Sequence, residues 1–132
     1  MKRCQISISN LEYPALLTEN YQEQLKGLMH INPPTPIMIF NYDSPKINKF
    51  WMKNTPAPLD IVFCNHNTVI DICYGEPYST KLIGGDYESN LIVELPYGTC
   101  KKNNINLGDS CKIININEDS FNFSQIFSRH YY

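Results

Sequence analysis

Proline and glycine cut this chain into pieces too short for any long helix. Pro33, Pro34 and Pro36 forbid regular structure before Ile37-Met38-Ile39-Phe40, and Pro45 separates that strand from one containing Phe50 to Lys53. Pro56 and Pro58 lack an amide donor and bias Thr55 and Ala57 away from helix, so that stretch is an extended or turning corner. Between these breaks lie short apolar runs, Cys4 to Ser9, Asp60 to Cys64, Val69 to Cys73, Leu91 to Leu95 and Ser110 to Ile116, bounded by turn residues such as Gly98 and Gly108-Asp109. Gly84-Gly85 ends a loose loop. Only Thr18 to Lys26 reads as helix, with Thr18 or Asn20 (boxed with Glu23) as N-cap and Gly27 as stop. The pattern predicts a mainly β chain, a small antiparallel β-sandwich or distorted barrel with one short helix.

At 132 residues the chain fits one domain, able to bury about two thirds of the surface its unfolded form exposes. A net charge of −2 gives no broad attraction to nucleic acid or to acidic membranes. No apolar run is long enough to cross a bilayer, and Met1 to Ser7 lacks the apolar stretch of an export signal, so the expected setting is cytoplasmic. Five cysteines, at 4, 64, 73, 100 and 111, contain no C-x-x-C and read as free buried thiols. His30, His66 and His130 share no ligand spacing with one another or with a cysteine, so neither a metal nor a cofactor is expected.

A turn on His66-Asn67 would pair Cys64 with Val69, Phe63 with Ile70, Ile61 with Ile72 and Asp60 with Cys73. That register sets Ile61, Phe63, Ile70 and Ile72 on one face and Asp60, Val62, Asp71 and Cys73 on the other, which is either wet or the wall of a polar pocket. After Asn117 the tail carries Phe121, Phe123, Ile126 and Phe127, expected to pack on the same domain.

The segment Phe50-Trp51-Met52-Lys53-Asn54-Thr55, with Pro58-Leu59-Asp60, holds the only tryptophan. Together with Gly27-Leu28-Met29, Met38-Ile39-Phe40, Val93-Glu94-Leu95 with Gly98, and Gly108-Asp109, in that order, it resembles the DUF192 family of uncharacterised conserved proteins over about residues 4 to 116. The resemblance implies a compact β-sandwich or distorted barrel and no established activity. It divides the chain into a DUF192-like domain, 1–116, and an aromatic tail, 117–132. Two departures bear on function. Relatives usually carry an arginine soon after Gly-Leu-Met and a glycine before the next Met-x-Phe, where this chain has His30-Ile31 and Ile37. Many also have an export signal and cysteines before the Glu-Leu strand, where this chain has Gly75-Glu76-Pro77-Tyr78.

As a strand, Lys49 to Lys53 would turn Lys49, Trp51 and Lys53 to one side, an aromatic plane between two cations that could stack a sugar or a base, while a buried Trp51 would merely plug the core. Asn54 and Thr55 precede the proline corner and suit turn hydrogen bonds. Asp60, between Leu59 and Ile61, must be solvated, paired or accepting amides, with Lys53 the nearest candidate partner. These residues, Trp51, Lys53, Asn54, Thr55 and Asp60, form the candidate ligand site, for a small polar, sugar-like molecule or a protein partner. Two alternatives stand beside this binding module: a hydrolase or lyase using Asp60 and Glu94 as paired carboxylates, and single-stranded nucleic acid binding by the Lys49, Trp51, Lys53 face, which the acidic net charge disfavours. Glu94, alternating with Val93 and Leu95, otherwise reads as a solvent-facing strand carboxylate.

Overall fold

A computed structural model describes residues 1–122 of the chain. Seven strands make one sheet: β1 (Lys2–Ile8), β2 (Leu11–Leu17), β3 (Met38–Phe50), β4 (Leu59–Asn65), β5 (Thr68–Gly75), β6 (Ile83–Pro96) and β7 (Cys111–Ser120). Their order across the sheet is β5-β4-β6-β3-β2-β1-β7. All neighbours are antiparallel except β2 and β3, which run parallel over Leu16–Met38 and Leu17–Ile39. The sheet is mainly β as expected, and it is mixed and open rather than closed. A single bridge between Thr68 and Ser110 brings the β4–β5 hairpin tip to the start of β7, so the sheet curls round on itself.

The curl explains why both faces are apolar. Its inner face gathers Ile6, Ala15, Ile39, Val62, Val69, Val93 and Cys111 into one cluster that draws on every strand. The outer face carries Met38, Phe40, Ile61, Phe63 and Ile92, and a second layer of Leu28, Met52 and Ala57 closes over it. The loop that follows helix α1 (Tyr21–Lys26), with the proline corner, supplies that layer, while α1 itself buries no residue. Asn20 caps α1 as expected, its side chain accepting from Glu23 N at 2.9 Å, and Glu23 reaches back to Glu19 N at 2.8 Å, one residue before the cap.

Four local expectations are corrected. Pro45 does not end a strand: β3 runs from Met38 to Phe50, and Pro45 sits in the register gap between Asn41 and Lys46, where no ladder amide is needed. β3 stops at Phe50, so Trp51 to Lys53 are not strand. Gly84-Gly85 lies inside β6, paired near Lys49, rather than in a loop. The β4–β5 hairpin begins with Cys64 opposite Val69, but Phe63 then faces Asp71 and Ile61 faces Cys73, so Ile70 is an extra residue that shifts the register by one. Ile72 therefore joins the inner cluster with Val62, and Cys73 and Ile70 join the outer one. Neither face of β4 is wet, since Leu59 to Cys64 are all buried.

A second, four-residue helix, α2 (Thr99–Lys102), follows β6. β7 runs to Ser120, and Phe121 packs against the outer cluster with the Arg3 guanidinium 4.4 Å from its ring centroid. Phe123, Ile126 and Phe127 lie outside the described residues. Among the described residues no helix is long and apolar enough to cross a membrane, and no group of three or more His, Cys, Asp or Glu side chains could hold a metal ion.

Candidate functional site

Glu94 occupies a position that alternation reserves for a core side chain. It pairs with Met38 on one side and Ile61 on the other, and shares the outer face with Ile92. Because β6 lies inside the sheet and the loop after α1 covers that face, Glu94 is 5% exposed. Its Oε1 is buried with no hydrogen-bond partner among the described residues. Burial pushes the acid up to about 8, so at neutral pH it is mostly protonated. An unsatisfied carboxyl in a sheet interior costs stability unless something else occupies its lone pairs.

Above Glu94 lies a cavity of about 280 Å³ between α1 and β3. Its inner wall is Leu28, Phe40, Asn48, Thr55 and Glu94, all buried, while Tyr21, Lys46, Lys49 and Trp51 stand at its exposed rim. Gly27 closes the side opposite the carboxyl: it takes φ 50° and ψ −127° as the cap of α1, a conformation that suits glycine, and its lack of a side chain leaves room before Glu94 Oε1. Tyr42 lies close enough that Glu94, after burial, contributes to holding the phenol above its usual range. Asn48 is already used, donating to Ser89 O at 2.8 Å.

Asn48, Lys49 and Phe50 are consecutive yet all border this cavity, which a regular strand does not allow. The register shift between Ile47 and Lys49 is the cause. Downstream, Thr55 N donates to Met52 O at 3.1 Å, closing a turn whose third residue, Asn54, takes φ 56°. That place in the turn demands positive φ, which asparagine tolerates. The Asn54 carbonyl accepts from His30 N at 2.7 Å, tying the corner to the loop after α1. Thr55 is buried and borders the cavity.

The residue pattern that spans β3, this corner and β6 is that of a known family, whose profile matches residues 5–113. The chain belongs to the DUF192 family, described as an uncharacterized ACR. No curated protein matches it. A crystal structure of a protein of unknown function from Novosphingobium aromaticivorans is similar, with 26% identity, a TM-score of 0.75 and coverage of 83% of this chain and 84% of that one. A protein from Sinorhizobium meliloti, provisionally described as a transcription regulator, shares the fold at 24% identity and TM-score 0.76, over 85% of this chain and 92% of its own.

In this DUF192 domain the predicted site residues separate. Trp51 is not a core plug: it is 40% exposed, at the cavity rim, with Lys53 Nζ 5.2 Å from its ring centroid. Lys49 borders the cavity and Lys53 does not, so Lys49, Trp51 and Lys53 form no common strand face. Asp60 is elsewhere. It faces Leu95 across β4–β6 while Ile61 faces Glu94, so the two carboxylates point to opposite faces of the sheet and do not converge. Asp60 Oδ2 accepts from Gly98 N at 3.1 Å and Cys100 N at 3.0 Å, capping α2 from a strand about 40 positions earlier. It makes no ion pair with Lys53 among the described residues.

Proposed function

We propose that this DUF192 domain is a binding module for a small polar ligand of monosaccharide size, held in the cavity between α1 and β3. The observation that carries this reading is the Glu94 carboxyl, buried with no hydrogen-bond partner on Oε1 among the described residues and facing an open cavity. Such a group is held at a stability cost, and a ligand hydroxyl or amine would meet its vacant hydrogen-bonding capacity. The volume of about 280 Å³ lies at the small end for ligand sites and suits a single ring rather than a chain of them. Trp51 at the rim offers an apolar plane for the face of a sugar, and Thr55 and Tyr42 offer further polar contacts. Asn54 and Lys53 support the site from behind, through the turn and the Trp51 ring, and Asp60 is a structural cap. With its second carboxylate on the other face of the sheet, the hydrolase alternative keeps only Glu94. The five unpaired cysteines suit a reducing, cytoplasmic setting.

The test is two-dimensional amide NMR with a panel of monosaccharides and polyols at millimolar concentration. The expected result is saturable shifts centred on Gly27, Thr55 and Glu94, absent in Glu94→Leu. Shifts scattered over the surface, or none, would overturn the reading.

A further inference from the structure

The cavity has two chemically different ends. At its floor is the Glu94 carboxyl, and around its rim stand Lys26, Lys46 and Lys49, with no acidic residue other than Glu94 itself among the described residues that line it. Lys46 and Lys49 make no ion pair among the described residues, so their charges are not spent within the fold. Nor are they loose. Lys46 Nζ lies 4.3 Å from the Tyr42 ring centroid, and the Lys49 stem lies so close over Gly85 that a Cβ there would come within 2.6 Å of Lys49 Cε. Three positions apart, the two lysines would leave opposite faces of a regular strand, and the register shift between Ile47 and Lys49 lets both border one cavity.

We propose that this cavity takes a small acid with a polar head, a single-ring molecule whose carboxylate or phosphate rests on the Lys46 and Lys49 ammonium groups while its hydroxyl or amine end hydrogen-bonds Glu94. The inference rests on the binding reading above and adds the charge of the ligand. Burial keeps Glu94 largely protonated at neutral pH, so among the described residues lining the site no anion balances the Lys46 and Lys49 charges, and an anionic ligand supplies it. A polyanion is not the match: the rim offers a point of positive charge over one small cavity, whereas a nucleic acid strand needs a track of charges and several stacking planes.

The experiment compares glucose, glucuronate and glucose 6-phosphate as probes, read by the fluorescence of Trp51, the chain's only tryptophan and a residue of the rim. Wild type is set beside Lys46→Met, Lys49→Met and Glu94→Gln. Both lysines are exposed, so their variants keep the fold, which thermal unfolding checks. The expected result is that one or both charged probes bind on the order of tenfold or more tighter than glucose, that the lysine variants abolish the difference, and that Glu94→Gln weakens all binding probes while preserving it. The amount by which glucuronate and the phosphate differ tells which anion the rim prefers. Glucose binding as tightly as both anions overturns the inference and leaves the binding reading standing. Charge preference that survives in both lysine variants also overturns it. If no probe gives a saturable response the inference falls, and the NMR shifts above decide the binding reading separately.

Discussion

Glu94 Oε1 and Gly27 face each other across the cavity, at a separation where a Cβ built on Gly27 would stand 3.7 Å from the carboxyl oxygen. The acid is therefore shut in by the helix cap on one side and the sheet on the other, and its protonation is tied to folding. Its pKa is raised from 4.5 to about 8, so between those values the folded chain holds a proton that the unfolded chain has released. The stabilising contribution of that proton is full below pH 4.5, falls as pH rises and is gone above 8, a loss of at most about 5 kcal/mol relative to a non-titrating side chain. Urea unfolding of wild type and Glu94→Gln at pH 5, 7 and 9 checks this: wild type should lose stability against the variant across the series. A constant difference would show that Glu94 ionises normally. Glu94→Leu, which replaces an unsatisfied polar group with an apolar one, should be more stable than wild type at pH 8 by on the order of 1 to 2 kcal/mol.

Asp60 and Lys53 should behave as unrelated residues. Asp60→Ala removes the acceptor of two amides and leaves Cys100 N buried without a partner, at a cost of about 2 to 3 kcal/mol. Lys53 is exposed, with its ammonium 5.2 Å from the Trp51 ring centroid, so Lys53→Met should change stability by no more than about 0.5 kcal/mol. The double variant should equal the sum within about 0.5 kcal/mol. A larger coupling by denaturant unfolding would show an electrostatic link that the geometry does not contain.

The contrast between Glu94 and Asp60 shows what the sequence could reveal and what it could not. Short alternating runs and proline breaks carried the β architecture, and Asn20, Glu23 and Gly27 carried α1, because caps and strand periods act over a few residues. Asn54 before the proline corner was likewise legible as a turn. Glu94 looked like a solvent-facing residue because Val93-Glu94-Leu95 alternates in the way of a half-exposed strand. Its burial arises only when the loop after α1 covers the outer face, a tertiary event that no local pattern records. Asp60 reads in the sequence as solvated, paired or accepting amides, with Lys53 the nearest candidate; the amides it accepts from, of Gly98 and Cys100, lie about 40 residues on, and backbone donors leave no mark in a sequence. The Ile70 bulge and the Ile47–Lys49 shift were invisible for the same reason: each is set by the neighbouring strand.

Gly84→Ala should be among the most damaging single substitutions in the chain. Gly84 sits inside β6 at φ 82°, and a Cβ would stand 2.8 Å from Phe63 Cε1 and closer still to Cζ. Phe63 is buried and its ring meets Phe50 edge-on at 5.9 Å, so it has nowhere to retreat. Backbone strain and overpacking together predict a loss of about 2 to 4 kcal/mol. Thermal unfolding measures it, and Phe63→Leu in the same background should recover part of the loss by freeing the space. A Gly84→Ala variant as stable as wild type would mean that β6 takes a different path past Phe63.

The thiols offer a last check on how tightly the two clusters are packed. Cys4, Cys64, Cys100 and Cys111 are buried, and Cys73, on β5, is the least covered of the five. Burial pushes Cys4 and Cys73 up to about 11 and Cys100 up to about 12, and Asp71 beside Cys73 adds to its shift; the neighbouring Cys111 thiol, and then burial, raise Cys64 as well. A thiol near 11 is thiolate in only about one molecule in a thousand at pH 8, and the thiolate is what reacts. Ellman's reagent at pH 8 should therefore find the folded chain nearly inert, with Cys73 the first to react and Cys73→Ser removing that phase. All five thiols should react promptly in urea. Fast reaction of two or more thiols in the folded chain would show that the sheet opens on the time scale of the assay, because Cys64 and Cys111 are wholly buried beneath the Thr68–Ser110 bridge region.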